Sequence, residues 1–274
     1  MNKNVGFVGR PNPSLPLCYP GIIFSYPRLF LVVLLPKAAD ICASFFCIEV
    51  PHIIMKLVLA TRPDAERVSQ LRIEAYSNAN GTVLRDFEFL KWSPTDDQAC
   101  ILCIEDGQGR MIASTRVIQV ETQEELESLC DAKITNPPAF PTLYFDKLVA
   151  LVEYRQQRLS MVFRLLVIEA ALQSDAQSLS FTINESAKRI PLMKSMGYTL
   201  SPADLSHRSA DNVFDNSVNV LVACLNRRNF EEALAQGRKE EIVSLADLDR
   251  DEALTHDLLG SIRAAWAGQQ LQPC

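Results

Sequence analysis

The sequence lacks an excess of basic residues and lacks long apolar runs, two features that mark common classes of protein. Acidic residues outnumber basic ones by 33 to 27, and the formal net charge of the 274-residue chain is −6. Nothing therefore supplies the broad basic surface on which a nucleic-acid-binding protein depends. No apolar run approaches the roughly 20 residues that span a bilayer, and no internal repeat stands out. We therefore expect no nucleic-acid partner and no membrane span.

Histidine is scarce, and cysteine is scattered. The chain has 3 histidines and 8 cysteines, and the cysteines lack the spacing of a disulfide framework. We therefore expect reduced thiols and a cytoplasmic protein. Cys100 and Cys103 form a C-x-x-C motif, but an apolar strand would direct them to opposite faces. No second pair or histidine cluster completes a metal site, so the motif predicts buried core cysteines and no metal.

The first 54 residues differ in composition from the rest of the chain. They contain seven of the 15 prolines, and their apolar runs are short and interrupted. They also lack a basic start that leads into an apolar core and a cleavage site, as a secretory signal would have. We expect an irregular extension outside the fold, with Met55 as the natural initiator. A weak membrane-associated or partner-binding arm is the alternative.

Hydrophobic periodicity from residue 55 onward predicts a mixed α/β domain over 55–226 and a helical extension over 227–274. A strand and a helix come first, and two strands then flank the turn at 106–109 as an antiparallel hairpin. Residues 201–216 predict a polar loop before a last strand. The amphipathic pattern over 229–268 predicts a helical tail, which packs either as a lid or as a homodimer surface.

The central stretch from Thr142 to Tyr198 shows a strand–loop–helix–strand–helix pattern. Strands are predicted at 142–151 and 178–183, and helices at 160–172 and 184–196. Gly197 falls where a helix C-cap needs a left-handed residue. A strand–helix–strand of this length predicts parallel pairing with a right-handed crossover. We expect these two strands at the centre of a six- or seven-stranded sheet.

The loop at 152–158 is the chemically informative part of this stretch. A strand that runs through a basic loop directly into a helix aims backbone N–H groups and the positive end of the helix dipole at one point. Arg155 and Arg158 add formal positive charge there. The pattern predicts a phosphate or pyrophosphate site, and a solvated turn with two surface arginines is the alternative.

Two segments resemble the signatures of the GCN5-related N-acetyltransferase (GNAT) superfamily. LVALVEYRQQRLS at 148–160 is similar to the strand and loop with which that family grips the pyrophosphate of acyl-coenzyme A. IPLMKSMGY at 190–198 resembles its second signature. The resemblance implies a GNAT-like fold that binds acyl-coenzyme A, with acetyl-coenzyme A as one donor. The implied cofactor-binding residues are Leu148, Val149, Ala150, Leu151, Arg155, Gln156, Gln157, Arg158, Leu159, Ser160 and Asn184.

Two departures from the family pattern affect the expected chemistry. Arg158 stands where the family has its first loop glycine, and arginine would be strained there if the position needed a positive φ. Met193 stands where the family often has a tyrosine that acts as general acid, and methionine cannot donate a proton. The resemblance therefore implies the fold, and not the usual acid.

Acyl transfer to an amine needs a held thioester, a donor to its carbonyl oxygen and a base for the incoming ammonium. Backbone groups near Val149 and Leu151 would hold and polarise the thioester if the two central strands splay apart. The first candidate base is Asp146, which strict alternation places in phase with Leu148 and Ala150; a solvated strand end is the alternative. Further candidates are the carboxylates of Glu74, Asp86 and Glu88, the lone histidine His207 and, as a proton donor, Tyr144.

The expected function is N-acyl transfer from acyl-coenzyme A to a small-molecule amine. The loop without paired glycines is also similar to relatives that make N-acyl amino acids or acyl-homoserine lactones. Such an enzyme would take long acyl chains, often from acyl carrier protein, an acidic partner that Arg155, Arg158, Arg164 and Lys188 would attract. A non-catalytic, acyl-coenzyme-A-binding or regulatory module is the third alternative.

Overall fold

The computed structural model describes residues 55–77, 87–206, 219–241 and 248–249. The predictions for residues 1–54, for Asp86 and His207, and for most of the tail beyond 241 lie outside the described residues.

The described residues form one mixed β-sheet of nine strands with six α-helices. The strand order across the sheet is β4-β7-β8-β6-β5-β3-β2-β1-β9. Short 3₁₀ turns lie at Arg62–Asp64, Glu88–Leu90, Val152–Gln157 and Arg227–Asn229. In chain order the elements are β1 (Met55–Ala60), α1 (Ala65–Ser77), α2 (Pro94–Asp97), β2 (Cys100–Glu105), β3 (Met111–Val120), α3 (Gln123–Cys130), β4 (Lys133–Ile134), β5 (Thr142–Ala150), α4 (Leu159–Leu172), β6 (Ser178–Asn184), α5 (Ile190–Ser195), β7 (Thr199–Asp204), β8 (Val220–Asn226), α6 (Phe230–Arg238) and β9 (Leu248–Asp249).

The sheet is wider than the six or seven strands predicted, because two very short strands extend its edges. β4 and β9 have two residues each and pair with β7 and β1. Segments this short carry no alternation that a sequence pattern could reveal. The remaining seven strands agree with the predicted number.

The predicted parallel pair at the centre of the sheet is confirmed. β5 and β6 are hydrogen-bonded neighbours and run parallel, joined by α4. Most side chains of α4 are buried, because the helix packs on β5, β3 and β6 and also on α6. The contact with α6 is close at Gly237, where a Cβ would come within 2.6 Å of Leu165 Cδ2.

The predicted hairpin is also confirmed. β2 and β3 pair antiparallel around a turn in which the Asp106 carboxylate accepts hydrogen bonds from the backbone N–H groups of Gln108 and Arg110. Cys100 and Cys103 on β2 are buried free thiols, and burial raises the pKa of each to about 12. Both are core residues, as the sequence predicted.

The helix predicted at 184–196 is much shorter in the structure. Asn184 is the last residue of β6, and its side-chain oxygen accepts from the N–H of Ser186 at 2.9 Å, which turns the chain before any helix begins. The regular helix α5 starts only at Ile190. Gly197 has φ +85°, so the predicted left-handed residue after this helix is confirmed.

Two predictions in the C-terminal third were wrong. Thr199–Asp204, part of which was predicted as a polar loop, is strand β7, and it pairs antiparallel with β8. A polar strand at a solvated position has no apolar alternation to reveal it. The helix predicted over 229–268 is not continuous, because α6 ends at Arg238 and Leu248–Asp249 pairs with the edge of β1; the rest of that tail lies outside the described residues.

None of the helices in the described ranges is long and apolar enough to cross a membrane. The same ranges contain no group of three or more His, Cys, Asp or Glu side chains placed to hold a metal ion.

Candidate functional site

The two central strands separate shortly after they meet. β5 and β6 pair only at Thr142↔Ser178, Leu143↔Leu179 and Tyr144↔Ser180. Beyond these positions β5 continues to pair with β3, and β6 continues to pair with β8. We call the space between residues 145–150 of β5 and 181–184 of β6 the wedge. Its closed end is at the last paired residues, and its open end leads to the loop before α4.

A β-bulge interrupts β5 beside the wedge. Asp146 pairs with Arg116 and Val149 with Ser114, so Lys147 and Leu148 together oppose the single residue Thr115. Lys147 has φ +47°, and an extra bulge residue leaves the ladder locally unpaired.

The bulge contradicts the prediction that Asp146 and Ala150 lie on the same face of β5. Asp146 and Ala150 pair with Arg116 and Ala113, which alternate to opposite faces of β3, so Asp146 and Ala150 cannot share a face. Side-chain alternation in the sequence cannot reveal an inserted residue.

A buried cluster of charges lies on the Asp146 face of the sheet. Its members come from α1, α2, β3 and β5, and the central carboxylate is Asp96. Arg72 Nη2 lies 2.8 Å from Asp96 Oδ1, and Lys147 Nζ lies 3.1 Å from Asp96 Oδ2. Arg116 donates from Nε to Asp146 Oδ1 over 2.7 Å and from Nη2 to Oδ2. The cluster of Arg72, Asp96, Arg116, Asp146 and Lys147 carries three positive and two negative charges.

Burial and neighbouring charges shift two titrating groups in this cluster. Burial alone would raise the pKa of Asp96, but the hydrogen bond and charge of Arg72 outweigh it and hold that pKa well below its usual range. Burial, with the guanidinium groups of Arg116 and Arg72, lowers the pKa of Lys147 to about 8. Lys147 is therefore partly neutral at mildly alkaline pH. This makes it a base candidate that the sequence analysis did not include.

The three predicted catalytic residues occupy different surroundings. Asp146 is mostly buried and engaged by Arg116. Glu74, on α1, is exposed and ion-paired with Arg110 of the hairpin at 2.9 Å. Tyr144 is buried beneath α3 against Ile118 and Val222, and burial raises its pKa well above the ordinary value. The structure therefore places only Asp146 beside the wedge in a position open to further hydrogen bonds, since each carboxylate oxygen has a second lone pair.

The backbone of β5 offers groups to the wedge at Ala150. The Leu151 N–H donates to Ile112 O at 2.9 Å, and Leu151 O accepts from the Tyr154 N–H at 3.0 Å. In an antiparallel ladder the backbone groups of alternate residues point away from the partner strand. Because Leu151 bonds towards β3, Ala150 turns its N–H and C=O away from β3 and towards the wedge, and Val149 does not.

The N-terminus of α4 lies at the open end of the wedge and has no side-chain cap. Helices begin with N–H groups that have no partner inside the helix, and these attract anions. Leu159 is buried, Ser160 is half-buried, and Gln156 is exposed. Gln157 carries a buried Oε1 atom without a hydrogen-bond partner among the described residues. The N–H groups at the start of α4 fit the predicted phosphate site, whereas the Gln157 oxygen is an acceptor and does not contribute to it.

The two loop arginines differ in their engagement. Arg158 has φ +54°, so the position does need the left-handed conformation that glycine favours. Its guanidinium is half-exposed and pairs with Glu240, beyond the end of α6, at 2.8 Å. Arg155 is exposed, and its Nη2 reaches Ala75 O, near the end of α1, over 3.4 Å. Arg155 is thus the more available of the two cations for an anionic ligand.

A cluster of three aromatic rings and a buried arginine closes the wedge. Phe145 and Phe181 follow the last paired residues, and their ring centroids are 4.8 Å apart. The Arg164 guanidinium carbon lies 4.2 Å from the centre of the Phe181 ring and 5.2 Å from that of Phe145. Tyr198 meets Phe181 edge to face at 5.3 Å. We call Phe145, Arg164, Phe181 and Tyr198 the wedge-end cluster.

The sequence analysis missed Arg72, Asp96, Arg116 and Lys147 as site residues. It counted Arg164 among the cations that would attract acyl carrier protein, whereas this side chain is buried. A signal existed for three charged residues, because Arg116, Lys147 and Arg164 lie within largely apolar segments of β3, β5 and α4. Charged residues are rarely buried unless they have partners. Their position within buried elements was therefore informative, although it could not show which of them meet.

Comparison with solved structures shows which fold this arrangement belongs to. The chain is similar to the coenzyme-A-dependent acyl-homoserine lactone synthase BjaI, at 13% identity over 73% of this chain and 93% of that one, with a TM-score of 0.51. It also matches the synthase MesI, at 15% identity over 72% and 100% with a TM-score of 0.44. An N-acetyltransferase from Staphylococcus aureus Mu50 matches at 8% identity over 64% and 99%, with a TM-score of 0.44.

The likeness to BjaI shows the fold, which is the GNAT-like acyltransferase fold. The resemblance drawn from the two sequence segments is therefore confirmed at the level of the fold. No protein-family model and no curated protein matches the sequence.

Proposed function

We propose that this protein is an N-acyltransferase that moves an acyl group from an acyl thioester to a small-molecule amine. The observation that carries the proposal is the wedge. Its two strands part after three paired positions and open towards an uncapped helix N-terminus. A strand gap of this kind offers free backbone groups to an extended amide-containing arm, and the helix offers N–H groups to a phosphate.

The donor thioester is acyl-coenzyme A. Its pyrophosphate would lie at the N-terminus of α4, against the loop 156–160, with Arg155 supplying a charge-assisted hydrogen bond. Its pantetheine arm would run along β5 and pair with the wedge-facing backbone of Ala150. Leu148 and the bulge beside it would supply the N–H that polarises the thioester carbonyl. BjaI is described with isopentyl-coenzyme A, which favours coenzyme A over acyl carrier protein.

The reaction forms a C–N bond and breaks a C–S bond. The amine attacks the thioester carbonyl, the ammonium proton passes to a protein base, and the coenzyme A thiolate leaves and takes up a proton. Asp146 and Lys147 are adjacent on β5 and lie on the same face, because both bond to the same buried charge cluster. Either could accept the proton, directly or through water.

A non-catalytic acyl-coenzyme-A-binding module is the second candidate. Two observations favour it: Arg116 engages both oxygens of Asp146, and the buried Met193 replaces the usual acid. The enzyme remains the better proposal, because Lys147 provides a second proton acceptor beside the wedge. A long-chain N-acyl amino acid synthase that uses acyl carrier protein is less favoured, because the rings of Phe145 and Phe181 close the wedge.

Isothermal titration calorimetry of the full-length protein tests the donor. Coenzyme A, acetyl-coenzyme A, octanoyl-coenzyme A and octanoyl–acyl carrier protein are titrated separately. We expect saturable binding of the coenzyme A species, weakened at least about tenfold in Arg155→Ala, because a charge-assisted hydrogen bond to phosphate is worth about 1.5–3 kcal/mol. Arg62→Ala, which removes an exposed arginine paired with Asp97, is the matched control and should bind as the wild type.

Thiol release measured with a panel of amines then separates the two candidates. An enzyme releases free coenzyme A only when an amine is present, and a binding module releases none. Absence of binding for all four ligands would contradict both candidates.

A further inference from the structure

The wedge-end cluster contains a buried cation without a counter-ion. Arg164 is 2% exposed, and no carboxylate pairs with it within the described ranges. Its Nη1 is buried and has no hydrogen-bond partner there, and the same is true of Tyr198 Oη beside it. The two phenylalanine faces stabilise the guanidinium, but they satisfy none of its N–H groups. The guanidinium and the Tyr198 hydroxyl interact with each other, but neither meets a carboxylate within the described ranges, so both keep donor capacity at the closed end of the wedge.

A buried arrangement of this kind is costly for a purely structural residue. Burial, together with the charge of Arg189, lowers the pKa of Arg164 to about 9, so the side chain is still charged near neutral pH. An uncompensated buried charge destabilises a protein, and apolar replacements are often better tolerated. An arginine beside a tyrosine hydroxyl offers a set of donors that suits a carboxylate.

The direction of the wedge places this cluster at the acyl end of a bound donor. The uncapped helix N-terminus lies at the open end, and the wedge-end cluster begins at the first unpaired residues of β5 and β6. If the pyrophosphate occupies the open end, the pantetheine arm leads towards the closed end, and the acyl group comes last. Phe145 and Phe181 are in ring contact just beyond the last paired residues, so their rings bound the space at the closed end.

We propose that the wedge-end cluster selects a short acyl group that ends in a carboxylate, which Arg164 and Tyr198 bind. This inference rests on the proposed function and names the donor class of the same site: the coenzyme A thioester of a short dicarboxylic acid. The acyl carboxylate supplies the counter-ion that the buried guanidinium lacks, and it accepts a hydrogen bond from the Tyr198 hydroxyl.

The test compares succinyl-coenzyme A with butyryl-coenzyme A, which has the same carbon chain without the terminal carboxylate. Calorimetry on the wild type should give a dissociation constant at least about tenfold lower for succinyl-coenzyme A, since hydrogen bonds to a charged group carry this much affinity. Octanoyl-coenzyme A should bind more weakly than butyryl-coenzyme A. Equal affinity for the succinyl and butyryl thioesters, or preference for octanoyl, overturns the inference and leaves the proposed function standing.

Two variants separate recognition from a structural role. Arg164→Met keeps an unbranched side chain between the rings and should abolish the succinyl preference, while its affinity for free coenzyme A stays unchanged. Its thermal midpoint should equal or exceed that of the wild type, because an unpaired buried charge has been removed. Tyr198→Phe should reduce the preference partially. A preference that survives Arg164→Met, or a thermal midpoint that falls together with coenzyme A affinity, contradicts a recognition role.

The wild-type titrations also keep this inference distinct from the proposed function. If neither free coenzyme A nor any of the three thioesters binds, the donor site itself is absent, and both proposals fail. If free coenzyme A binds and the thioesters do not differ, only the inference about Arg164 fails.

Discussion

Arg72 and Asp96 form an ion pair of 2.8 Å in which neither side chain has any solvent exposure. The pair links α1 to α2, and Lys147 and Arg116 connect the same carboxylate to β5 and β3. The wedge therefore borders a charged cluster that fixes the position of α1 relative to the two strands. Because Arg72 Nε and Nη1 have no partner among the described residues, the cluster depends strongly on its single central carboxylate.

Replacing that carboxylate should destabilise the fold severely. Asp96→Asn leaves Arg72 buried with no counter-charge and removes a partner of Lys147, and breaking a buried pair in this way typically costs about 3–5 kcal/mol. Urea denaturation at pH 7 measures the change in the free energy of unfolding.

The neighbouring residue provides a matched control. Asp97 forms an exposed pair with Arg62, at 3.1 Å. Asp97→Asn should cost about 1 kcal/mol or less, because exposed ion pairs contribute little. Similar losses for the two variants would contradict the central role of Asp96.

The pH dependence of stability should carry the signature of Asp96. Its folded-state pKa lies well below the unfolded value, so the ionised carboxylate stabilises the native state above the unfolded pKa. This contribution is fully present at neutral pH and is lost as the pH falls below about 4. We expect the slope of unfolding free energy against pH in this acidic range to be smaller in Asp96→Asn. An unchanged slope would show that other carboxylates govern acid unfolding.

The sequence predicted the central features of this fold because they have local signals. The hydrophobic patterns around β5, α4 and β6 predicted the parallel pair, and Gly197 marked a real left-handed position. The helix predicted after the loop at 152–158 is also present, and α4 begins there without a side-chain cap; the anion site in that loop stays a prediction.

Features that depend on tertiary pairing had no such signal. The bulge at Lys147 changes the phase of β5, and it exists only in the register with β3. β9 forms by pairing with the edge of β1, and two residues carry no periodicity of their own. The meeting of Arg72 with Asp96 joins residues from separate helices, and only the packing of α1 and α2 on the sheet brings them together.

Arg158 should carry measurable backbone strain. A non-glycine residue in the left-handed region destabilises the folded state by about 1–3 kcal/mol. The exposed ion pair with Glu240 offsets only a small part of this cost. We expect Arg158→Gly to be more stable than Arg158→Ala by about 1 kcal/mol, although glycine is usually the less favourable residue. Glu240→Gln, which removes the ion pair and keeps the strain, should change stability by less than about 1 kcal/mol. Thermal and urea unfolding measure both effects, and a more stable alanine variant would contradict the strain.

The pH–rate profile should identify the proton acceptor. With Lys147 as the base, kcat/KM for acyl transfer should rise through pH 8 and then level off, because the neutral amine accepts the proton only above its lowered pKa of about 8. The variant Lys147→Met should lose this rising limb and should be about 100-fold slower, whereas Asp146→Asn should keep the limb.

Lys194→Met, which changes an exposed lysine on α5, is the control and should keep both the rate and the limb. The pH–rate profile is measured with two acceptors whose amines differ in pKa. If the rising limb shifts with the pKa of the acceptor, it reports the acceptor and not Lys147. If the limb persists in Lys147→Met and disappears in Asp146→Asn, a group other than Lys147 removes the proton.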